Sequence, residues 1–208
     1  MSEVDQWTED FTLLAINDGS KDQTLEILQR CQDQLGSRLE ILDQPNQGHG
    51  QSCLAGYRLA SERGYRYVLQ IDTDGQCDPQ FFYRLWNLRN RYEIIYGRRY
   101  QRLDGWRRTL ASQILRWVVR GAAGVWCVDP NVPYRLMKTD RLRSKIEAIP
   151  KEFFLANVAL AVLLKRDPSW REATIPIVFR ERFGGEPTVR LNQFGTRAKE
   201  LVRQLKRL

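Results

Sequence analysis

Val68-Leu-Gln-Ile-Asp-Thr-Asp-Gly-Gln-Cys-Asp-Pro79 is an apolar strand that runs into two aspartates one residue apart. Val68, Leu69 and Ile71 supply the strand, and Gly75 and Pro79 break it. Asp72 and Asp74 are therefore expected at the carboxyl end of a buried strand, where open α/β sheets place their ligands. Side chains at i and i+2 of a strand point the same way. Two such carboxylates repel unless something cationic lies between them. A hard divalent ion with a phosphate on its far side resolves that, because Mg²⁺ takes one or two carboxylates plus phosphate oxygens. A solvated Asp-Thr-Asp-Gly turn is the competing reading, and this stretch alone does not choose between the two.

Upstream, Phe11 to Ile16 reads as a short strand that stops at Asn17-Asp18-Gly19-Ser20. A helical pattern follows (Leu25, Leu28, Cys31, Leu35), closed by Gly36, and then a strand at Leu39 to Leu42. Asn46-Gln-Gly48-His-Gly50 leads into a helix from Cys53 to Arg63. Downstream of Pro79 a helix turns Phe82, Leu85, Trp86 and Leu88 inward, and Tyr92 to Tyr96 forms a strand ending at Gly97-Arg98-Arg99. Strands alternating with helices predict an α/β fold, a mainly parallel sheet with helices on both faces. The second half carries an apolar helix at Leu110 to Val119 edged by arginines, another around Phe153 to Leu164, and a strand at Ala173 to Phe179. A basic loop, Arg180-Glu-Arg182-Phe-Gly-Gly185, follows that strand. The tail, 187–208, reads as a basic amphipathic helix from Leu191 to Leu208. Taken singly, these apolar helices read more simply as core, and His49 as a loop residue.

The chain has 208 residues, within the size of one large domain, and 42% of them are hydrophobic. Its net charge of +8 favours anionic partners such as nucleotide or lipid phosphates or an acidic membrane face. No signature of nucleic-acid binding accompanies the charge. Cys31, Cys53, Cys77 and Cys127 form no Cys-x-x-Cys, and His49 is the single histidine. That argues against zinc and fits a reducing cytoplasm. No apolar run approaches the roughly 20 residues that span a bilayer.

Several charged turns fall at strand ends, and in a doubly wound sheet they converge on one edge. In that order the chain resembles the family 2 glycosyltransferases of GT-A fold, especially the branch like dolichol-phosphate mannosyltransferase. The resemblance rests on Asn17-Asp18-Gly19-Ser20-Lys-Asp22-Gln-Thr24, Asn46-Gln-Gly48, Asp72-Thr-Asp74, Gly97-Arg98-Arg99, Arg108-Thr-Leu-Ala-Ser112, Asp129 and Arg182-Phe-Gly184-Gly185. It spans nearly the whole chain, as a single GT-A domain over 1–208. Any one motif is weak, and their order and spacing together are specific.

The resemblance implies a nucleotide site at Asn17, Asp18, Ser20, Asn46, Gly48 and Asp72. It implies Mg²⁺ or Mn²⁺ held by Asp72 and Asp74, with help from Gln76. The implied reaction is inverting transfer from a nucleoside-diphosphate sugar. Arg99 and Arg108 match arginines that grip an acceptor phosphate, with Ser112, Arg180 and Arg182 beside them. In the second apolar helix, where many relatives carry Glu-Asp, this chain has Phe153-Phe154-Leu155-Ala156-Asn157, and Asn157 cannot act as a base. A lipid phosphate needs no base, so the expected acceptor is a polyprenyl phosphate at the cytoplasmic membrane face, with peripheral contact through the arginine-edged helix and tail. The alternatives are a glycan hydroxyl acceptor, for which Asp129 would be the base, and a non-catalytic remnant that binds nucleotide or membrane. Against the family pattern, the first β-α unit is expected to be missing, Asn17 replaces an aspartate, and Asp129-Pro-Asn-Val-Pro133-Tyr134 replaces an Asp-x-x-x-Gly-Phe loop.

Overall fold

A computed structural model describes residues 2–102, 106–180 and 194–208, with side chains described except at 2, 101–102, 106–108 and 194–196. After a single turn of helix, α1 (Ser2–Asp5), the first half alternates as expected: β1 (Leu13–Asp18), α2 (Thr24–Leu35), β2 (Leu39–Gln44), α3 (His49–Glu62) and β3 (Tyr67–Ile71). Then come α4 (Phe82–Leu88), β4 (Ile94–Arg102), α5 (Trp106–Ala123), β5 (Tyr134–Lys138), α6 (Leu142–Glu147), α7 (Ala156–Arg166), β6 (Glu172–Phe179) and α8 (Phe194–Arg207). Local chemistry sets several of the boundaries. Asp22 accepts from the Thr24 amide at 3.0 Å in the turn that leads into α2. Asp78 accepts from the Gln80 amide at 3.1 Å, with Pro79 behind it, and starts the turn into α4.

Hydrogen bonding divides the strands into two sheets. β1 and β2 pair in parallel, which sets Asn17 opposite Asp43 and Asp18 opposite Gln44. The larger sheet has the order β3-β5-β4-β6. β4 and β6 are parallel, and β5 runs antiparallel to both of its neighbours. The α/β architecture read from the sequence is present, with β5 as its antiparallel exception. β5 and α6 were not anticipated.

β4 also corrects an expectation. Gly97-Arg98-Arg99 does not end the strand but lies inside it, opposite Ile175, Pro176 and Ile177 of β6. A longer partner strand offers ladder hydrogen bonds that outweigh the polar side chains. Gly97 is needed at that crossing. A Cβ there would come within 2.7 Å of the Tyr134 ring and 2.9 Å of Ile177 Cδ1.

The core lies around the larger sheet. α7 is its centre, with Ala156 through Val162 all buried. α5 contributes Val119 and Ala123, and α8 contributes Leu201 and Leu205. The apolar stripe of the basic tail is thus spent on the core, in the described part of α8. In contrast, α2 buries no residue, and β1 and β2 each bury one.

Candidate active site

Asp18 closes β1 and is followed by Gly19, whose φ of +69° turns the chain so tightly that a Cβ would sit 2.7 Å from the Asn46 amide nitrogen. Asn46 Nδ2 donates to the Asp18 carbonyl at 2.9 Å. The Asp18 carboxylate accepts from Gln44 Nε2 and the Gln47 amide, both at 2.9 Å, and from the Gly48 amide at 2.8 Å. Burial pushes its pKa up, but these donors and Ser52 prevail and hold it below the usual carboxylate value. Asp18 is therefore an anchored anion at the mouth of α3. Asn17 is buried, donates to Asp43 Oδ1 at 2.7 Å and accepts from the Ser20 amide at 3.3 Å. An aspartate at 17 would face Asp43 with no proton to share, which accounts for the asparagine.

α3 begins at His49, which brings the imidazole to Asp72, Nε2 to Oδ1 3.7 Å. His49 is thus part of the site and not a loop residue. Its pKa is raised, first by Cys53 Sγ at 3.7 Å one helical turn on, then by Asp72. Burial pushes the Asp72 carboxyl up, and the charge of Asp74 adds to that; His49, Gln70 and Arg135 oppose it. Behind Asp72 lies a closed ring of polar contacts. Gln70 Nε2 donates to Asp72 Oδ1 at 3.2 Å. Tyr57 Oη lies in short contact with Gln70 Oε1 and 2.9 Å from Asn157 Oδ1. Asn157 Nδ2 reaches Cys53 Sγ at 3.6 Å, which returns the ring to His49. Asn157 is a buried tether in this ring, consistent with its exclusion as a base.

Beyond Asp72 the chain turns. Asp74 Oδ1 accepts from the Gln76 amide at 3.2 Å. Gln76 is buried, donates through Nε2 to the Arg180 carbonyl at 3.1 Å, and accepts from the Arg180 amide at 2.9 Å. The Arg180 guanidinium pairs with buried Asp78 while remaining half exposed. Arg180 follows Phe179, over whose ring Arg99 lies at 5.0 Å. Arg99 in turn forms a two-pronged pair with Asp129, Nε to Oδ2 2.6 Å and Nη2 to Oδ1 2.5 Å, each side chain 11% exposed. Arg99 and Asp129 therefore meet each other directly, a charge-assisted pair between β4 and the loop before β5.

One contributor was not legible beforehand. Arg135 in β5 is fully buried, and its guanidinium donates to the Val132 carbonyl at 2.6 Å and 3.1 Å, to Asn157 O at 3.4 Å and to Pro130 O at 3.5 Å. It staples the Asp129 loop to β5 and α7. Its sequence signal is a lone arginine amid Tyr134, Leu136 and Met137. Ser112 lies on α5. The side chain of Arg108 and all of Arg182 lie outside the described residues.

Contacts thus link Asp18 to Gly48, His49 to Asp72, Asp74 to Gln76, Gln76 to Arg180, and Arg99 to both Phe179 and Asp129, with chain neighbours joining one link to the next. Among the described residues no three His, Cys, Asp or Glu side chains converge as a metal cage. Two carboxylates one residue apart, one with its pKa pushed up by burial and further by the charge of the other, are a donor set suited instead to Mg²⁺ or Mn²⁺ completed by phosphate oxygens.

Residues 2–153 match the family described as "Glycosyl transferase family 2". The undecaprenyl-phosphate 4-deoxy-4-formamido-L-arabinose transferase of Edwardsiella ictaluri is 23% identical over 88% of this chain and 54% of its own length. The undecaprenyl-phosphate mannosyltransferase of Micrococcus luteus is 27% identical over 67% of this chain and 59% of its own. The chain spans about half the length of such relatives. Among solved structures, glucosyl-3-phosphoglycerate synthase from Mycobacterium tuberculosis, in complex with Mn²⁺, UDP-glucose and phosphoglyceric acid, superposes with a TM-score of 0.62 at 17% identity. That likeness covers 93% of this chain and 67% of the other, and it is one of fold.

Proposed function

Because the chain belongs to glycosyl transferase family 2, we propose that it transfers a sugar from a nucleoside-diphosphate sugar to a polyprenyl phosphate, with inversion at the sugar carbon. The observation that carries this reading is the succession of Asp18 on its amide cradle, Asp72 beside His49, Asp74 with Gln76 and Arg180, and the Arg99–Asp129 pair.

Asp18 and its amide cradle mark the nucleoside end, with Asn17, Ser20, Asn46 and Gly48 around it. Asp72 and Asp74 would hold Mg²⁺ or Mn²⁺, assisted by Gln76. Such an ion, when bound, offsets the charge on the departing diphosphate. The His49 imidazole, with its raised pKa, brings a further positive group to the same place. An acceptor phosphate oxygen forms a bond to the anomeric carbon as the bond from that carbon to the diphosphate breaks. The diphosphate leaves with the electron pair, through an oxocarbenium-like state.

A lipid phosphate is already an anion and requires no proton acceptor. This agrees with Asp129 engaged by Arg99 and Asn157 engaged by Tyr57. Arg99, Arg108, Ser112, Arg180 and Arg182 are the groups we assign to the acceptor phosphate. The names of the relatives support the acceptor class, since both act on undecaprenyl phosphate by name. Action at the cytoplasmic membrane face, without spanning it, is part of the proposal. Among the described residues no helix is long and apolar enough to cross a membrane.

The test is thermal unfolding with a panel of nucleotide sugars, with and without Mn²⁺, followed by transfer assays of each hit onto a short polyprenyl phosphate and onto free glycans. The expected result is Mn²⁺-dependent protection and a product on the lipid phosphate. Protection without transfer to any acceptor would leave a binding protein, and no protection by any donor would remove the reading.

A further inference from the structure

α5 carries two apolar faces where a helix on a globular domain needs one. Val119 and Ala123 are in the core, with Leu115, Val118 and Ala122 packed against it, and α8 lies alongside. That face accounts for the stability of the helix. On the other side Leu110, Ile114 and Trp117 follow at four- and three-residue steps and so share a stripe. They are 51%, 39% and 66% exposed. Trp126, itself 39% exposed, meets Trp117 edge to face with ring centres 5.4 Å apart. Two adjoining indoles and two branched aliphatics on one exposed surface are an apolar patch that the fold itself does not use.

The charges around the patch say what covers it. Trp106–Ala123 contains four arginines and no aspartate or glutamate. Arg116 lies over the Trp126 ring at 5.7 Å, and its guanidinium donates to the Val128 carbonyl at 3.3 Å. Arg120 is exposed and donates to the Gly124 carbonyl at 2.7 Å. Indoles flanked by arginines, with no acidic residue on the helix, match the boundary layer of an anionic bilayer. There aromatic rings sit at headgroup depth and cations meet lipid phosphates. A protein partner would have to bring apolar surface and several carboxylates together, whereas a bilayer offers both everywhere.

We infer that the outer face of α5, with Trp126, docks the protein on an anionic lipid surface. This rests on the polyprenyl-phosphate reading in one respect: Arg108 and Ser112, assigned to the acceptor, belong to the same helix, so docking brings the headgroup layer to that helix.

The experiment uses the whole chain and extruded vesicles of phosphatidylcholine, with or without phosphatidylglycerol, in sedimentation assays. Binding to the anionic vesicles is expected to weaken with salt. Trp117→Ser with Trp126→Ser should lower partitioning about tenfold, and Arg120→Glu should lower it further in low salt. Ile27→Ser, which removes an exposed apolar side chain from α2, should leave it unchanged. Thermal melts establish that each variant is folded, and calorimetry with a nucleoside diphosphate and Mn²⁺ tests the donor site separately. Vesicle binding that is absent, or indifferent to the double substitution, overturns the inference. So does a dimer in sedimentation equilibrium that the same substitution dissolves, since the face would then bind protein. Loss of nucleotide binding in the unaltered protein would instead count against the proposed function and leave the docking result standing.

Discussion

Tyr57 holds one hydroxyl between two buried amide oxygens, and through Gln70 it governs where the Asp72 carboxylate points. Tyr57→Phe keeps the ring and removes the link. The one proton the hydroxyl donates to these buried acceptors is then lost, at about 1–3 kcal/mol that urea denaturation would read. If the ring of contacts also positions Asp72, the affinity for nucleoside diphosphate falls in the same variant at temperatures where it is fully folded. Asp74 is the more direct case. Asp74→Ala is expected to abolish Mn²⁺-dependent binding of a nucleoside diphosphate by calorimetry, and an unchanged affinity would remove the metal assignment. The acidic pair was legible in the sequence as an apolar strand running into Asp-x-Asp-Gly, and the order of the other motifs favoured a site over a solvated turn. The approach of His49 to Asp72 was not, because it depends on where α3 starts, and a glycine-flanked histidine looks like loop. Arg99 and Asp129 were each legible as charged groups at the site. Their pairing was not, since spacing along a chain does not show which opposite charges meet.

At the scale of elements, Glu93 ties three strands together at one end of the larger sheet. Its carbonyl accepts from the Lys138 amide at 2.9 Å, its amide donates to the Arg171 carbonyl at 2.9 Å, and its carboxylate takes the Arg171 amide and guanidinium and Lys138 Nζ. The Arg171 side chain, above all, lowers its pKa from the ordinary 4.5 to about 2. A depressed carboxyl stabilises the fold above its unfolded value and ceases to do so as pH falls through the folded one. Stability should therefore decline between about pH 4.5 and 2, and Glu93→Gln should flatten that part of the curve while costing about 2 kcal/mol at neutral pH. Urea midpoints measured across that range check both. The alternating strands and helices of the first half were readable because buried parallel strands are apolar runs between glycine-rich turns. β5 escaped notice because Arg135 interrupts its apolar run. The end of β4 escaped because three arginines look like a loop until β6 is placed beside them.

For the molecule as a whole, the uneven distribution of the core is the dominant feature. The β3-β5-β4-β6 sheet, α7 and parts of α5 and α8 hold most of the buried apolar side chains, while β1, α2 and β2 bury few. Amides of β1 and β2 should exchange with deuterium well before those of β3 to β6 in the protein alone. A nucleoside diphosphate with Mn²⁺ should slow them selectively, because the proposed nucleoside site lies at the end of β1, on Asp18 and its amide cradle. Uniform exchange across both sheets, or protection outside β1 and β2 alone, would contradict this. Composition and charge anticipated an anion-binding α/β chain, but not this division, which depends on which helix faces find partners. Because α2 covers its strands without inserting a single side chain deeply, the proposed donor would act as the missing keystone there. In a cell starved of activated sugar this half should be the first to be clipped by proteases, and the abundance of the protein would then follow the supply of its own substrate.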